Sequence, residues 1–252
     1  MEYIIIETGI FLFGIVIGSF LNVCIYRIPA HEDIVSKRSR CMNCGSVLKW
    51  YELIPVFSFF LQRGRCRSCH CRLSLQYPLI ELANGILYVW ITAVKGLGLE
   101  SLLFSLCASV LFVIGMIDGR TYEIPPGCNL CILGLGAVRL LSDLPHWYVY
   151  VIGFFSVSGF FYLLYLLTGR KGIGGGDIKL MAAAGLLLGW WNIILAMIIG
   201  CVAGSVIHVS LMKLRKKDRV LAFGPYLAFG IMTAMLYGNE ITGWYLRLLG
   251  SC

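Results

Sequence analysis

Charge is scarce in this sequence: 13% of its 252 residues are Asp, Glu, Lys or Arg. That is about half the fraction of a soluble globular chain, which excludes a water-facing surface over most of its length. The start, Met1-Glu2-Tyr3-Ile4, lacks a basic n-region, and no small-residue cleavage site follows its apolar core. The first segment is therefore expected to be a retained helix rather than a removed signal. No glycine-rich nucleotide fingerprint follows a strand pattern. No internal repeat links the two halves, and no acidic residues stand mid-span at matching positions, which argues against a transporter.

What is present is apolar: 59% of residues are hydrophobic and the mean hydropathy is +0.83. With ~20 apolar residues needed per crossing, the chain reads as an all-α polytopic membrane protein. About eight transmembrane helices are expected, near 4–26, 77–95, 101–117, 128–142, 147–168, 178–189, 192–212 and 221–246. The implied organisation is a first transmembrane helix (1–26), a polar insert (27–76) and a membrane bundle (77–252).

The net charge of +8 raises nucleic acid as a partner, but its placement favours a membrane. Assigning loops alternately to two sides puts all but Lys95, Arg139 and Arg247 of the 21 Lys and Arg on one side. This is the positive-inside pattern, with both termini outside and the basic loops cytoplasmic. The run from Lys213 to Arg219 is expected to meet anionic membrane lipids.

Within the insert, Cys41-x2-Cys44 and Cys66-x2-Cys69 are separated by 21 residues. Two such pairs can present four thiolates to one tetrahedral ion. A segment of ~50 residues has little core of its own, and a metal supplies the missing folding energy. Zinc held by Cys41, Cys44, Cys66 and Cys69 is the expected arrangement, a zinc-ribbon-like insert, with a redox dithiol as the alternative. Cys71 and His70 crowd the second pair and are alternative ligands there, though Cys69 has the better spacing. Glu81, about one turn into the second span, is either stabilised by the helix dipole at the interface or part of a substrate site.

Two aspartates stand where long apolar runs meet polar turns. Asp118 ends Val110–Ile117, and Asp177 follows Gly172-Ile173-Gly174-Gly175-Gly176. An ionisable group at such a place marks a functional site. Brought together, two carboxylates do not both ionise easily, so one keeps its proton while the other acts as base toward water. The glycines allow a chain to approach closely. Gly14 and Gly18 have the small-xxx-small spacing that lets a neighbouring helix come near.

Several stretches, taken in order, resemble the type IV prepilin peptidases of the GxGD class of membrane aspartic proteases. They are Gly18-Ser19-Phe20-Leu21-Asn22-Val23, Tyr26-Arg27-Ile28-Pro29, the two cysteine pairs, Leu53-Ile54-Pro55 and Tyr77-Pro78-Leu79-Ile80-Glu81. Asp118 with Ile124-Pro125, Gly174-Gly175-Gly176-Asp177-Ile178-Lys179-Leu180 and Phe223-Gly224-Pro225 complete the set. The resemblance implies cleavage of a short basic leader from prepilins or pseudopilins of pilus or type II secretion systems, after a glycine, at the cytoplasmic membrane face. Asp118 and Asp177 would be the catalytic pair. Gly174, Gly175 and Gly176 would lie against the leader, and Glu81 or Glu123 would recognise it. It also implies methylation of the new N-terminal amine from S-adenosylmethionine, an activity the family associates with the cysteine-bearing domain. The chain departs from the family pattern at Pro126, where an acid is common, and at Lys37, where proline is common. A zinc or thiol sensor in the membrane, or a transporter, is the competing class.

Overall fold

A helix rises 1.5 Å per residue and a bilayer core is about 30 Å thick, so ~20 apolar residues make one crossing. The first run meets that requirement as α1 (Glu2–Arg27). The computed structural model describes residues 2–169, 172–215, 222–248 and 250. Among these it is all-helical, with no strand and only the isolated bridges Arg40–Val47 and Arg65–Arg72. After α1 come the five-residue α2 (Phe57–Leu61), α3 (Gln76–Lys95), α4 (Leu99–Thr121), α5 (Pro126–Ser142) and α6 (Trp147–Leu167). The chain ends with α7 (Gly175–Leu188), α8 (Trp190–Arg215) and α9 (Gly224–Leu248).

Among the described residues, five stretches are long and apolar enough to cross a membrane: Tyr3–Arg27, Gln76–Lys95, Leu99–Thr121, Leu144–Leu167 and Trp190–Ser210. α5 is apolar but spans 17 residues, and α7 only 14. The long helices fall where the apolar runs place them, with differences at their ends. α4 continues through Thr121 rather than stopping at residue 117, which puts Asp118 inside its last turns. α7 begins within the glycine run, at Gly175. The basic run 213–219 cannot be followed: residues 216–219, and the side chains of Lys213 and Arg215, lie outside the described residues, as do Arg170 and Lys171.

The chain divides into two compact units, Met1–Ser101 and Leu102–Cys252. In the first, α1 packs along α3. A Cβ on Gly18 would stand 2.7 Å from the Glu81 Cα, and one on Gly14 would stand 2.8 Å from the Gly85 Cα. Only glycine lets the two backbones come this close. The side chain of Asn84 uses the proximity, donating to the Gly14 carbonyl at 2.8 Å. Asn22 donates to the Tyr77 carbonyl at 3.1 Å.

In the second unit α7 is the central element, packed by α5, α6, α8 and α9. Leu180, Met181, Ala183, Ala184 and Leu187 are buried, which suits a helix that is apolar all round. It ends at Gly189, whose φ of +79° closes the last turn as its N–H donates to the Gly185 carbonyl. Pro125 caps α5 in extended conformation and Pro126 takes the first helical position, where a missing N–H costs nothing.

Candidate active site and cysteine cluster

The second unit brings the two aspartates together. Asp118 is buried, and its Oδ2 accepts from the backbone N–H of Gly224 at 2.8 Å. Gly224 opens α9, so an orphan N–H of a helix start is satisfied by a carboxylate, in the place where the helix dipole favours negative charge. The fit leaves no room for a side chain: a Cβ on Gly224 would stand 2.8 Å from Oδ2 and 2.9 Å from Cγ of Asp118.

Asp177 is the third residue of α7. Its carboxyl lies beside Gly174, the residue that caps the helix, and near enough to Asp118 for each to feel the other's charge. A Cβ on Gly174 would stand 2.9 Å from the Asp177 Oδ2. Each aspartate therefore has a glycine at its side, and Asp118 also has one oxygen on a backbone N–H. The start of α7 is further held from the segment after α4. Ile124 packs against Gly176, and the buried Asn129 of α5 donates to the Gly176 carbonyl at 3.4 Å. Gly174 and Gly175 are exposed.

Asn129 was not among the sequence expectations; one amide in an apolar run carries no signal of its own. Gly224 entered only through the resemblance, although a Gly-Pro pair opening a helix is a readable start signal. Glu81 belongs to the first unit. It is 7% exposed, and its Oε2 accepts from the Val56 backbone N–H at 2.7 Å. That bond ties the start of α2 to α3, at a residue whose φ of +63° is rare without glycine.

The insert gathers its thiols in two turns of the same backbone pattern. In the first, Gly45 N–H bonds the Cys41 carbonyl and Cys41 N–H the Ser46 carbonyl. In the second, His70 N–H bonds the Cys66 carbonyl and Cys66 N–H the Cys71 carbonyl. The Sγ atoms of Cys41, Cys66, Cys69 and Cys71 lie within 4.8 Å of one another. Cys41 is 3.9 Å from Cys69 and 3.7 Å from Cys71. Tetrahedral zinc with Zn–S of about 2.3 Å sets sulfurs about 3.8 Å apart, so the spacing fits that ion. Cys44 is exposed, with its Sγ 3.1 Å from the Ser46 hydroxyl.

The thiols differ in acidity. The Cys71 N–H and the Asn43 amide pull Cys69 down to about 6. The N–H groups of Cys44 and Asn43 pull Cys41 down. The neighbouring Cys69 pushes Cys71 up to about 12. Ser46 favours the Cys44 thiolate, yet Cys69 and Cys41 hold that thiol above its usual range. Each turn thus supplies one acidic thiol of the kind that ligates metal.

A helical protein with several membrane-length helices, and with two aspartates paired at helix termini, is the class that fold and site define. A family model described as the bacterial peptidase A24 N-terminal domain matches residues 12–94, and one described as the type IV leader peptidase family matches 105–209. The chain is 33% identical over 243 residues to a prepilin leader peptidase/N-methyltransferase of Bacillus subtilis, covering 95% of this chain and 97% of that one. A protein of the same name from Pseudomonas putida is 32% identical, covering 94% and 92%. Another from Burkholderia pseudomallei is 34% identical, covering 94% and 86%. The chain belongs to the type IV leader peptidase family. No solved structure matches it. These likenesses favour the enzyme over a sensor or a transporter.

Proposed function

We propose that this chain is a membrane aspartic endopeptidase that removes the short leader of type IV prepilins or pseudopilins and then N-methylates the residue it exposes. The relatives named above carry both activities in their name. The single observation behind the peptidase reading is that Asp118 and Asp177, at the ends of two helices, lie within electrostatic reach of each other.

The pair holds one proton between two carboxylates. The ionised member takes a proton from water as its oxygen attacks the scissile carbonyl carbon, and the protonated member donates to the carbonyl oxygen. Collapse of the tetrahedral intermediate breaks the C–N bond as a proton passes to the departing amine. The Gly224 N–H holds one oxygen of Asp118 and so orients the other toward the water, while Gly174 packs against the Asp177 carboxyl. Gly174, Gly175 and Gly176 offer bare backbone to the extended leader. Glu81, in this reading, anchors the insert through Val56.

The reading places eight spans in the bilayer: the five above together with α5, α7 and α9. Both termini are outside and the aspartates face the cytoplasm, where the basic loops lie. α7 is about 21 Å long, shorter than the bilayer core, and its burial among other helices makes that tolerable. Zinc fits the insert as a structural ion that would be held by Cys41, Cys66, Cys69 and a fourth thiolate. Backbone register makes Cys44 the counterpart of Cys69 and Ser46 the counterpart of Cys71, so we assign the fourth position to Cys44, which a side-chain rotation brings inward. S-adenosylmethionine is the methyl donor this reading requires. No residue is assigned to it.

The test is to replace Asp118 and Asp177 separately with Asn and to incubate each purified protein with a prepilin. Mass measurement of the product should show no leader removal by either variant, while membrane insertion and zinc content match the parent. Normal processing by either variant removes that residue from the pair.

A further inference from the structure

Between α2 and the second cysteine turn the insert holds a cavity of about 350 Å³. Its rim carries Arg63, Arg65 and Arg72, and Phe59, Phe60 and Leu75 supply apolar wall. Arg65 and Arg72 are directly opposed across an antiparallel bridge, where like charges destabilise the pairing. The three acids of the insert are engaged elsewhere: Glu32 with Lys37 and Arg40, Glu52 with Arg67, and Asp33 with the backbone N–H groups of Val35 and Ser36. None of the three cavity arginines has a carboxylate partner among the described residues. Three guanidiniums around one cavity call for an anion, and a phosphate suits their forked donors.

The surroundings decide which anion. Phe57, Phe60 and Leu61 of α2 are 64%, 67% and 77% exposed. Leu75, 65% exposed, is the capping residue of α3, one of the helices long enough to cross a membrane. The cavity therefore opens where a span meets the headgroup layer, beside phenylalanines that a free phosphate would leave bare. We propose that the insert binds an anionic phospholipid, with the phosphate held by Arg63, Arg65 and Arg72 and the acyl chains covering Phe57, Phe60 and Leu61. The lipid seats the small metal-stapled insert against the leaflet from which α3 descends. This rests on the membrane setting alone, so prepilin cleavage is an independent readout.

The test uses the full chain in non-ionic detergent, titrated with dioleoylphosphatidylglycerol or dioleoylphosphatidylcholine, with retained lipid counted by mass spectrometry of the intact complex. Phosphatidylglycerol should be retained at the lower concentration. In R63Q/R65Q/R72Q its half-saturating concentration should rise roughly a hundredfold, from the contribution of each basic residue at an anionic surface. The single change Arg72→Gln also relieves the opposed charges. Its lipid-free thermal midpoint should equal or exceed the parent's, while phosphatidylglycerol binds several-fold more weakly. That single variant decides the matter if the triple one does not fold. Equal retention of the two lipids, or unchanged binding by Arg72→Gln, overturns the proposal. So does displacement of phosphatidylglycerol by inorganic phosphate or by S-adenosylmethionine.

Discussion

The backbone N–H of Gly224, the first residue of α9, donates to the Oδ2 of Asp118 at 2.8 Å, and the glycine presses against that carboxyl with no space for a methyl group. The relation joins two stretches of sequence 106 residues apart and orients one member of the aspartate pair.

Gly224→Ala tests it. The added Cβ must displace Asp118 or the start of α9, and loss of a hydrogen bond to a charged group costs about 1.5–3 kcal/mol. Leader removal should fall by roughly 10- to 100-fold in kcat, with zinc content unchanged. Parental kcat would show that the carboxylate does not depend on this contact.

Gly174→Ala is the counterpart at Asp177. Its Cβ would crowd the Asp177 Oδ2 at 2.9 Å, while Gly175 next to it has open space. Prepilin cleavage should drop in Gly174→Ala and persist within a few-fold in Gly175→Ala. Equal effects would make the glycines a matter of leader contact rather than of aspartate geometry.

The insert offers a choice between two thiols. Cys71 lies in the present cluster and Cys44 is exposed outside it, whereas the proposed reading gives the fourth position to Cys44 on the strength of the matching backbone turns. Metal analysis should find about one zinc per chain in Cys71→Ser and well below one in Cys44→Ser. The reverse would give the fourth position to Cys71.

Glu81→Gln keeps the shape but removes the charge that receives the Val56 N–H. Limited proteolysis around residues 54–57 should quicken, and prepilin KM should stay within about twofold, since in this reading the Val56 bond holds the insert and does not touch the leader. A KM rise of tenfold or more with unchanged proteolysis would place Glu81 in contact with the basic leader instead.

The helix α1 and the later apolar runs were legible because a bilayer demands ~20 consecutive apolar residues, a requirement that shows in any window of the chain. The same local logic marked Asp118 and Asp177, since a carboxylate at the edge of an apolar run stands out. The cysteine pairs were legible through their spacing. Asn129 was not readable, and Cys71 was readable only as an alternative to Cys69, because a hydrogen bond to the Gly176 carbonyl or a sulfur 3.7 Å from Cys41 exists only after the chain has folded back.

The order of apolar and polar segments, the two acidic edges and the paired cysteines were therefore determined by the sequence itself, through rules that act over a few helical turns. Tertiary structure alone decided that α4 runs past Asp118, that α9 begins at that carboxylate, and that Glu81 holds Val56. Each of these is a contact between segments distant in the chain, and its energy depends on where backbone atoms meet in space rather than on any local pattern of side chains.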